Sequence, residues 1–173
     1  MSDSGKNKEI EASIRALRAA GVGTGIAGEL EEHAAATTLS ACDAVLEQVP
    51  AYSASGNPEV LPELREHISG HVEEISRLLA GRRPGEFAFV ADHARRRAEQ
   101  KFPLDAILSA YRCLHSRILP RVREAALAVA SEDAHMRRVV AAVNEFLSAY
   151  AGVTGSLMTS EYVDATRSIA EAD

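Results

Sequence analysis

The chain has 173 residues, of which 46% are apolar and 25% charged, a balance that fits one globular domain with its own core and excludes a disordered chain. A formal net charge of −6 excludes a domain built mainly to grip nucleic acid, because phosphate binding needs a basic face. Aromatic residues make up only 5% and tryptophan is missing, so the core must come mainly from Ala, Leu, Val and Ile, and Ala and Leu favour helix.

Residues 1–8 are polar, lack the apolar centre of a signal peptide and read as a disordered lead. Ile10, Ile14 and Leu17 then recur at helical spacing over 9–20, and the glycines of 21–25 interrupt the pattern. This first segment is expected to stand as an arm. A second helix is expected over 26–49, closed by Pro50, since the residue before a proline avoids helical geometry. After a loop to Pro58, Leu61, Leu64, Ile68, Val72, Ile75 and Leu79 mark a third helix over 59–80. A fourth, over 86–101, puts Phe87, Ala91, Ala94 and Ala98 on one face with Val90 at its edge. Phe102-Pro103 breaks the chain and opens a fifth over 104–130, which Pro120 should kink or split. Ser131-Glu132-Asp133 resembles a cap for a last helix over 134–169.

That last helix carries Val139, Val143, Phe146, Tyr150, Val153 and Leu157 in alternating four- and three-residue steps, then turns polar at Ser160, Glu161 and Asp164. A helix that loses its apolar side in this way fits one that leaves its domain. No stretch alternates at period two, so no sheet is expected. Cys42 and Cys113 lie far apart without a Cys-x-x-Cys spacing and read as reduced thiols. No run is long and apolar enough for a membrane span. A cytoplasmic protein without membrane contact is expected.

Three stretches together carry a resemblance: Val49-Pro50-Ala51-Tyr52, then Glu63-Leu64-Arg65-Glu66-His67-Ile68 with Leu78-Leu79-Ala80-Gly81-Arg82-Arg83-Pro84, and above all Arg95-Arg96-Arg97-Ala98-Glu99-Gln100-Lys101-Phe102-Pro103-Leu104-Asp105-Ala106-Ile107-Leu108-Ser109-Ala110-Tyr111-Arg112. Over roughly residues 27–160, this pattern resembles the N-terminal domain shared by RsbR-type stress-response proteins and PucR/CdaR-type transcriptional regulators of bacteria. The resemblance implies an all-α, globin-like bundle without haem, of five or six helices with a long C-terminal signalling helix. It implies a sensory domain that pairs into a homodimer and relays a signal to an output domain behind it in the same polypeptide. Residues 1–25 are then the arm, 26–160 the sensory and dimerisation domain, and 161–173 the start of a linker helix. The arginine-rich third stretch favours the PucR/CdaR-type regulator. An RsbR-type co-antagonist or a sensor-kinase input domain is the alternative, and a haem-based gas sensor is a third.

Candidate chemistry is sparse. No nucleophile elbow, catalytic carboxylate pair, metal-ligand motif or cofactor motif is present, so neither an enzyme nor a cofactor is expected. Haem would need a histidine in the core before Pro103, but Arg96 occupies the position seven residues before it and His93 falls well off the apolar face. His93 is therefore read as a surface residue. His67 and His71 are an i, i+4 pair that could clamp a metal, but they sit off the apolar stripe and are read as surface residues too. His115 falls with Leu104, Leu108, Tyr111 and Ile118 on the apolar face of its helix. It is read as a core residue, or else, with Tyr111 and Leu108, as the lining of a site for an unidentified small ligand or a proton. Arg82, Arg83, Arg95, Arg96, Arg97 and Lys101 are either a solvated face paired with local acids or a docking patch for a partner protein. Arg97 and Arg112, flanking the Phe102-Pro103 turn, are the candidates for an inter-helix lock. Cys113, opposite the core face, could mark a second packing surface such as a dimer interface.

Overall fold

A computed structural model describes residues 3–172. Its elements are α1 (Asp3–Ala19), α2 (Gly23–Glu32), α3 (Ala34–Gln48), α4 (Pro50–Ser53), α5 (Val60–Leu79), α6 (Ala88–Glu99), α7 (Leu104–Val129) and α8 (Asp133–Ala172). No strand occurs among the described residues, and the fold is an all-α helical bundle with a long C-terminal helix.

The helices outnumber the five or six expected, for local reasons. The expected helix over 26–49 is two helices, because His33 leaves helical geometry at φ −106° and ψ 10°. Its carbonyl accepts both the backbone N–H and the hydroxyl of Thr37. Pro50, which ends α3, also starts α4, since its fixed φ suits a first helical turn. The glycines after α1 do not hold the chain open. α2 starts at Gly23, where a Cβ would lie 2.6 Å from the Leu79 carbonyl oxygen, so glycine is what lets α2 cross the end of α5. Pro120 lies inside the 26-residue α7 without splitting it; the ring faces solvent, and only its own backbone bond is lost.

Residues 9–19 are not an arm. Ile10, Ile14 and Leu17 are buried, and α1 lies along α8. Three apolar residues on one helix face are worth several kcal/mol when covered, and α8 offers the cover. Helix also spans residues 3–8, expected as a disordered lead, while residues 1–2 of that lead lie outside the described residues.

α5 sits at the centre, with α2 and α3 on one side and α6 on another; α8 runs along α1, α6 and α7. The 40-residue α8 keeps its apolar side buried through Val139, Val143, Phe146, Tyr150, Val153 and Met158, after which most of its residues are exposed. At 1.5 Å per residue it is about 60 Å long. Cys42 and Cys113 are free and buried, and the Cys113 thiol meets the Gln48 side chain of α3, so it packs inside the bundle and not on an outer surface. Among the described residues, no helix is long and apolar enough to cross a membrane.

Candidate functional site

Four of the six histidines gather in the interior. His67 and His71 come from successive turns of α5, His93 from α6 and His115 from α7. The His67 and His93 rings stack with centroids 3.8 Å apart and planes 6° apart. Phe89 of α6 closes over the α5 pair, 5.6 Å from His67 and 5.1 Å from His71. Gly70 makes this possible, because a Cβ there would lie 2.9 Å from the Phe89 ring.

Hydrogen bonds thread the cluster across three helices. Tyr111 of α7 lies with its hydroxyl 2.8 Å from His67 Nε2. His67 Nε2 faces His71 Nε2 at 3.2 Å, and His71 Nδ1 lies 2.8 Å from the hydroxyl of Tyr150 on α8. Burial pushes both phenols well up, so they keep their protons. Burial pushes all four histidines down: His67 and His71 far below their ordinary value, His93 to about 3 and His115 to about 4, and the Arg97 charge adds to the effect at His67 and His93. Every imidazole is therefore neutral near pH 7, with one proton each.

His67 Nε2 carries either one proton or one in-plane lone pair, so it cannot pair fully with both Tyr111 and His71 Nε2 at once. The chain therefore has more than one proton arrangement, each leaving one contact weaker than the others. His67 Nδ1 is buried and without a partner.

His67 and His93 also form the inner wall of a cleft of about 330 Å³, completed by Glu63, Glu66, Phe89, Asp92 and Arg96. Next to it lies Arg97, fully buried, which donates to Glu63 Oε2 at 2.8 Å, to Gln100 Oε1 at 2.5 Å and to the Val60 carbonyl at 3.1 Å. Its guanidinium lies 5.6 Å from the centre of the Tyr52 ring and 5.4 Å from that of Phe102. Burial works to raise the Glu63 carboxyl, but hydrogen bonds from Arg96 and Gln100 and the charges of Arg97 and Arg96 outweigh it and hold the group below its usual range.

Of the sequence candidates, Arg97 ties α6 to α5, whereas Arg112 is exposed and reaches only Ser109, one turn away on its own helix. Tyr111 is in the cluster. His115 is at its edge, 6.3 Å from His71 and with Nε2 unpartnered, and Leu108 is partly buried against the core. Three surface assignments are overturned. His67, His71 and His93 are buried at 4%, 0% and 8% exposure. α5 is covered on more than one side, so its buried face is wider than the aliphatic stripe. His67 and His71 do not make an outward metal clamp either, since their Nε2 atoms face each other. Among the described residues, only the exposed Glu29, Glu32 and His33 bring three potential ligand atoms within 4.8 Å of one another. The other arginines near the cleft are paired: Arg95 with Asp92 and Glu161, and Arg96 with Glu59, Glu63 and Glu99. That is the solvated-face alternative of the sequence reading.

The fold is an all-α bundle with a neutral histidine–tyrosine cluster inside it, and the family match supplies the class, a sensory or signalling N-terminal domain. The RsbRD_N family model, described as the RsbT co-antagonist protein rsbRD N-terminal domain, matches residues 35–173, and the chain belongs to that family. The match is to an RsbR-type domain and not specifically to the PucR/CdaR type that the arginine-rich stretch favours. Comparison with curated proteins and with solved structures gives no match.

Proposed function

We propose that this chain is a non-catalytic input domain of an RsbR-type stress-signalling protein, which receives its signal at the histidine–tyrosine cluster and passes it on through α8. The observation that carries this reading is the hydrogen-bond chain Tyr111–His67–His71–Tyr150. It joins the cleft side of α5 to the one helix whose apolar side fades towards its end. A ligand or proton at the cluster alters which atoms donate along the chain, and Tyr150 carries that change into α8. Such a switch needs two packings only a few kcal/mol apart. The domain acts as a homodimer, and its output is a domain following α8 in the same polypeptide, with no direct nucleic-acid contact of its own.

Tyr150→Phe tests the reading, because it cuts the link without touching the cleft. In the unaltered chain, protection of the amides over residues 150–172, corrected for the slower intrinsic exchange at lower pH, falls from about pH 7.5 to about pH 6, as the neutral histidines begin to cost stability below 6.5. In Tyr150→Phe that response is lost. An identical response in the variant overturns the relay. Native mass spectrometry of the same samples reports the subunit number.

A further inference from the structure

We infer that the front of α6 is an acid-released flap: a proton taken up at the His67–His93 stack parts the two rings, and residues 88–93 leave α5 and unwind while the rear of the helix stays joined. This names the proton as the regulator of the site proposed above and α6 as the element that yields, so it rests on that reading of the cluster.

α6 is fastened to α5 in two unlike ways. At its rear, Arg96 and Arg97 pair with Glu59 and Glu63, and Arg97 also holds the Val60 carbonyl. At its front the fastening is made of rings: Phe89 seated over Gly70, and His93 laid flat on His67. Little within the helix would hold that front once it is loose. Phe87, which starts it, is kept at φ 52°, a left-handed conformation that a bulky residue seldom adopts. No side chain caps this end, the first turn has no acidic residue, and a helix of 12 residues is marginal by itself in water.

The closed stack has no place for a charge. Its rings are 3.8 Å apart, and no free anion faces them. From α5, His71 is neutral, and Glu63 is already bonded to Arg96, Arg97 and Gln100. From α6 comes Arg97, whose charge adds to burial in holding His93 at about 3. From α4, α7 and α8 come Tyr52, Tyr111, His115 and Tyr150, all uncharged near pH 6. The outside is different. His93 is the more exposed member of the stack and lines the cleft, where among the described residues neither of its ring nitrogens has a hydrogen-bond partner. Glu66 and Asp92 stand on the same wall in contact with water, so an imidazolium turned outward meets both solvent and carboxylates.

Closed stack and proton therefore exclude each other. A ring whose pKa is about 6.5 when free and much lower when stacked makes opening about tenfold easier for each pH unit below 6.5. Freeing both rings of the stack makes that up to about a hundredfold, while His71 keeps its bond to Tyr150. The Phe87 ring meets the Tyr150 ring with centroids 6.0 Å apart, so a loosened front is also felt at α8.

Amide exchange of the full chain between about pH 7 and about pH 5, corrected for the intrinsic rate, tests the flap. From pH 6.5 to pH 5.5, protection over residues 88–99 is expected to fall between about tenfold and about a hundredfold, and to stay below that of α3, which gives no ring to the cluster. His93→Phe keeps a ring on the stack with nothing to protonate, and should shrink the fall about tenfold; His93→Gln checks the same loss with a smaller neutral group. His115→Phe, at the edge of the cluster, should leave the fall over 88–99 unchanged. The inference is overturned if 88–99 and α3 keep the same protection at every pH, if both His93 variants retain the full response, or if His115→Phe loses as much of it. A response over 88–99 with residues 150–172 unmoved sinks the relay and leaves the flap standing. A response over 150–172 while α6 follows α3 does the opposite.

Discussion

Two polar clusters lie side by side between α5 and α6, and they are built on opposite principles. Around Arg97 the charge is permanent. A guanidinium with no solvent exposure meets Glu63, Gln100 and the Val60 carbonyl, and two aromatic rings cover it. Around His67 and His71 everything is neutral, and each group owes that to burial. A paired charge of the first kind holds two helices in one register and responds to little. A neutral network of the second kind has protons that can shift and one ring nitrogen, His67 Nδ1, without a partner, which suits it to the adjustable role proposed above. The molecule thus keeps a fixed joint next to an adjustable one, and the adjustable one reaches α8.

The largest test of this contrast is acidification. A histidine whose folded pKa is depressed costs nothing well above 6.5, where both states are neutral. Below 6.5 the unfolded chain takes up a proton that the folded chain refuses, so stability falls until the folded pKa is passed, about 4 for His115 and about 3 for His93. Near pH 5.5 each group costs about 1.4 kcal/mol, and four together about 5.6 kcal/mol, comparable to the whole stability of a small domain. Glu63 acts in a lower window, because its carboxyl, held below 4.5, loses its contribution only under more acid conditions. Urea unfolding at about pH 7.5 and about pH 5.5 should show this drop; a difference under about 1 kcal/mol would mean that the histidines are not buried neutral.

Next comes Arg97→Ala. It removes a buried side chain and its bonds to Glu63, Gln100 and the Val60 carbonyl, and should cost about 2–4 kcal/mol by urea unfolding, less than a fully buried pair because Glu63 keeps Arg96 and Gln100. A loss under about 1 kcal/mol would show that the fixed joint is not fixed. Tyr150→Phe removes the hydroxyl that His71 Nδ1 relies on and should cost about 1–2 kcal/mol. At the small end, Arg112→Ala should stay within about 0.5 kcal/mol, since its side chain is exposed and reaches only Ser109. A larger loss would restore it as a partner of Arg97.

Much of the fold is legible in the residues, because periodicity reports burial directly. Leu64, Ile68, Val72, Ile75 and Leu79 place α5, and the seam from Val139 to Val153 places α8. The cleft is not legible in the same way, because the aliphatic stripe of α5 marks only part of its buried face. Leu64, His67, His71, Ile75 and Leu78 form their own row of three- and four-residue steps on α5, and Val90, His93 and Arg97 form another on α6, so the spacing carried the signal that residue type obscured. What spacing does not carry is the meeting of those rows. That meeting depends on Phe89 being admitted by Gly70 and on Tyr111 and Tyr150 arriving from 44 and 79 residues away. The burial of α1 was hidden for a similar reason, since a short amphipathic segment does not announce which helix will cover it.

The far part of α8 is anchored as well. The hydroxyl of Tyr162 donates to the Phe102 carbonyl at the α6–α7 corner, and Glu161 is paired with Arg95 of α6. Tyr150 and Tyr162 are twelve residues apart, about 18 Å along the axis and about 120° around it. A rod pinned at two heights on two different sides resists leaning. In the proposed relay, a shift at Tyr150 must therefore break the Tyr162 and Glu161 contacts or carry them with it before the residues beyond them respond.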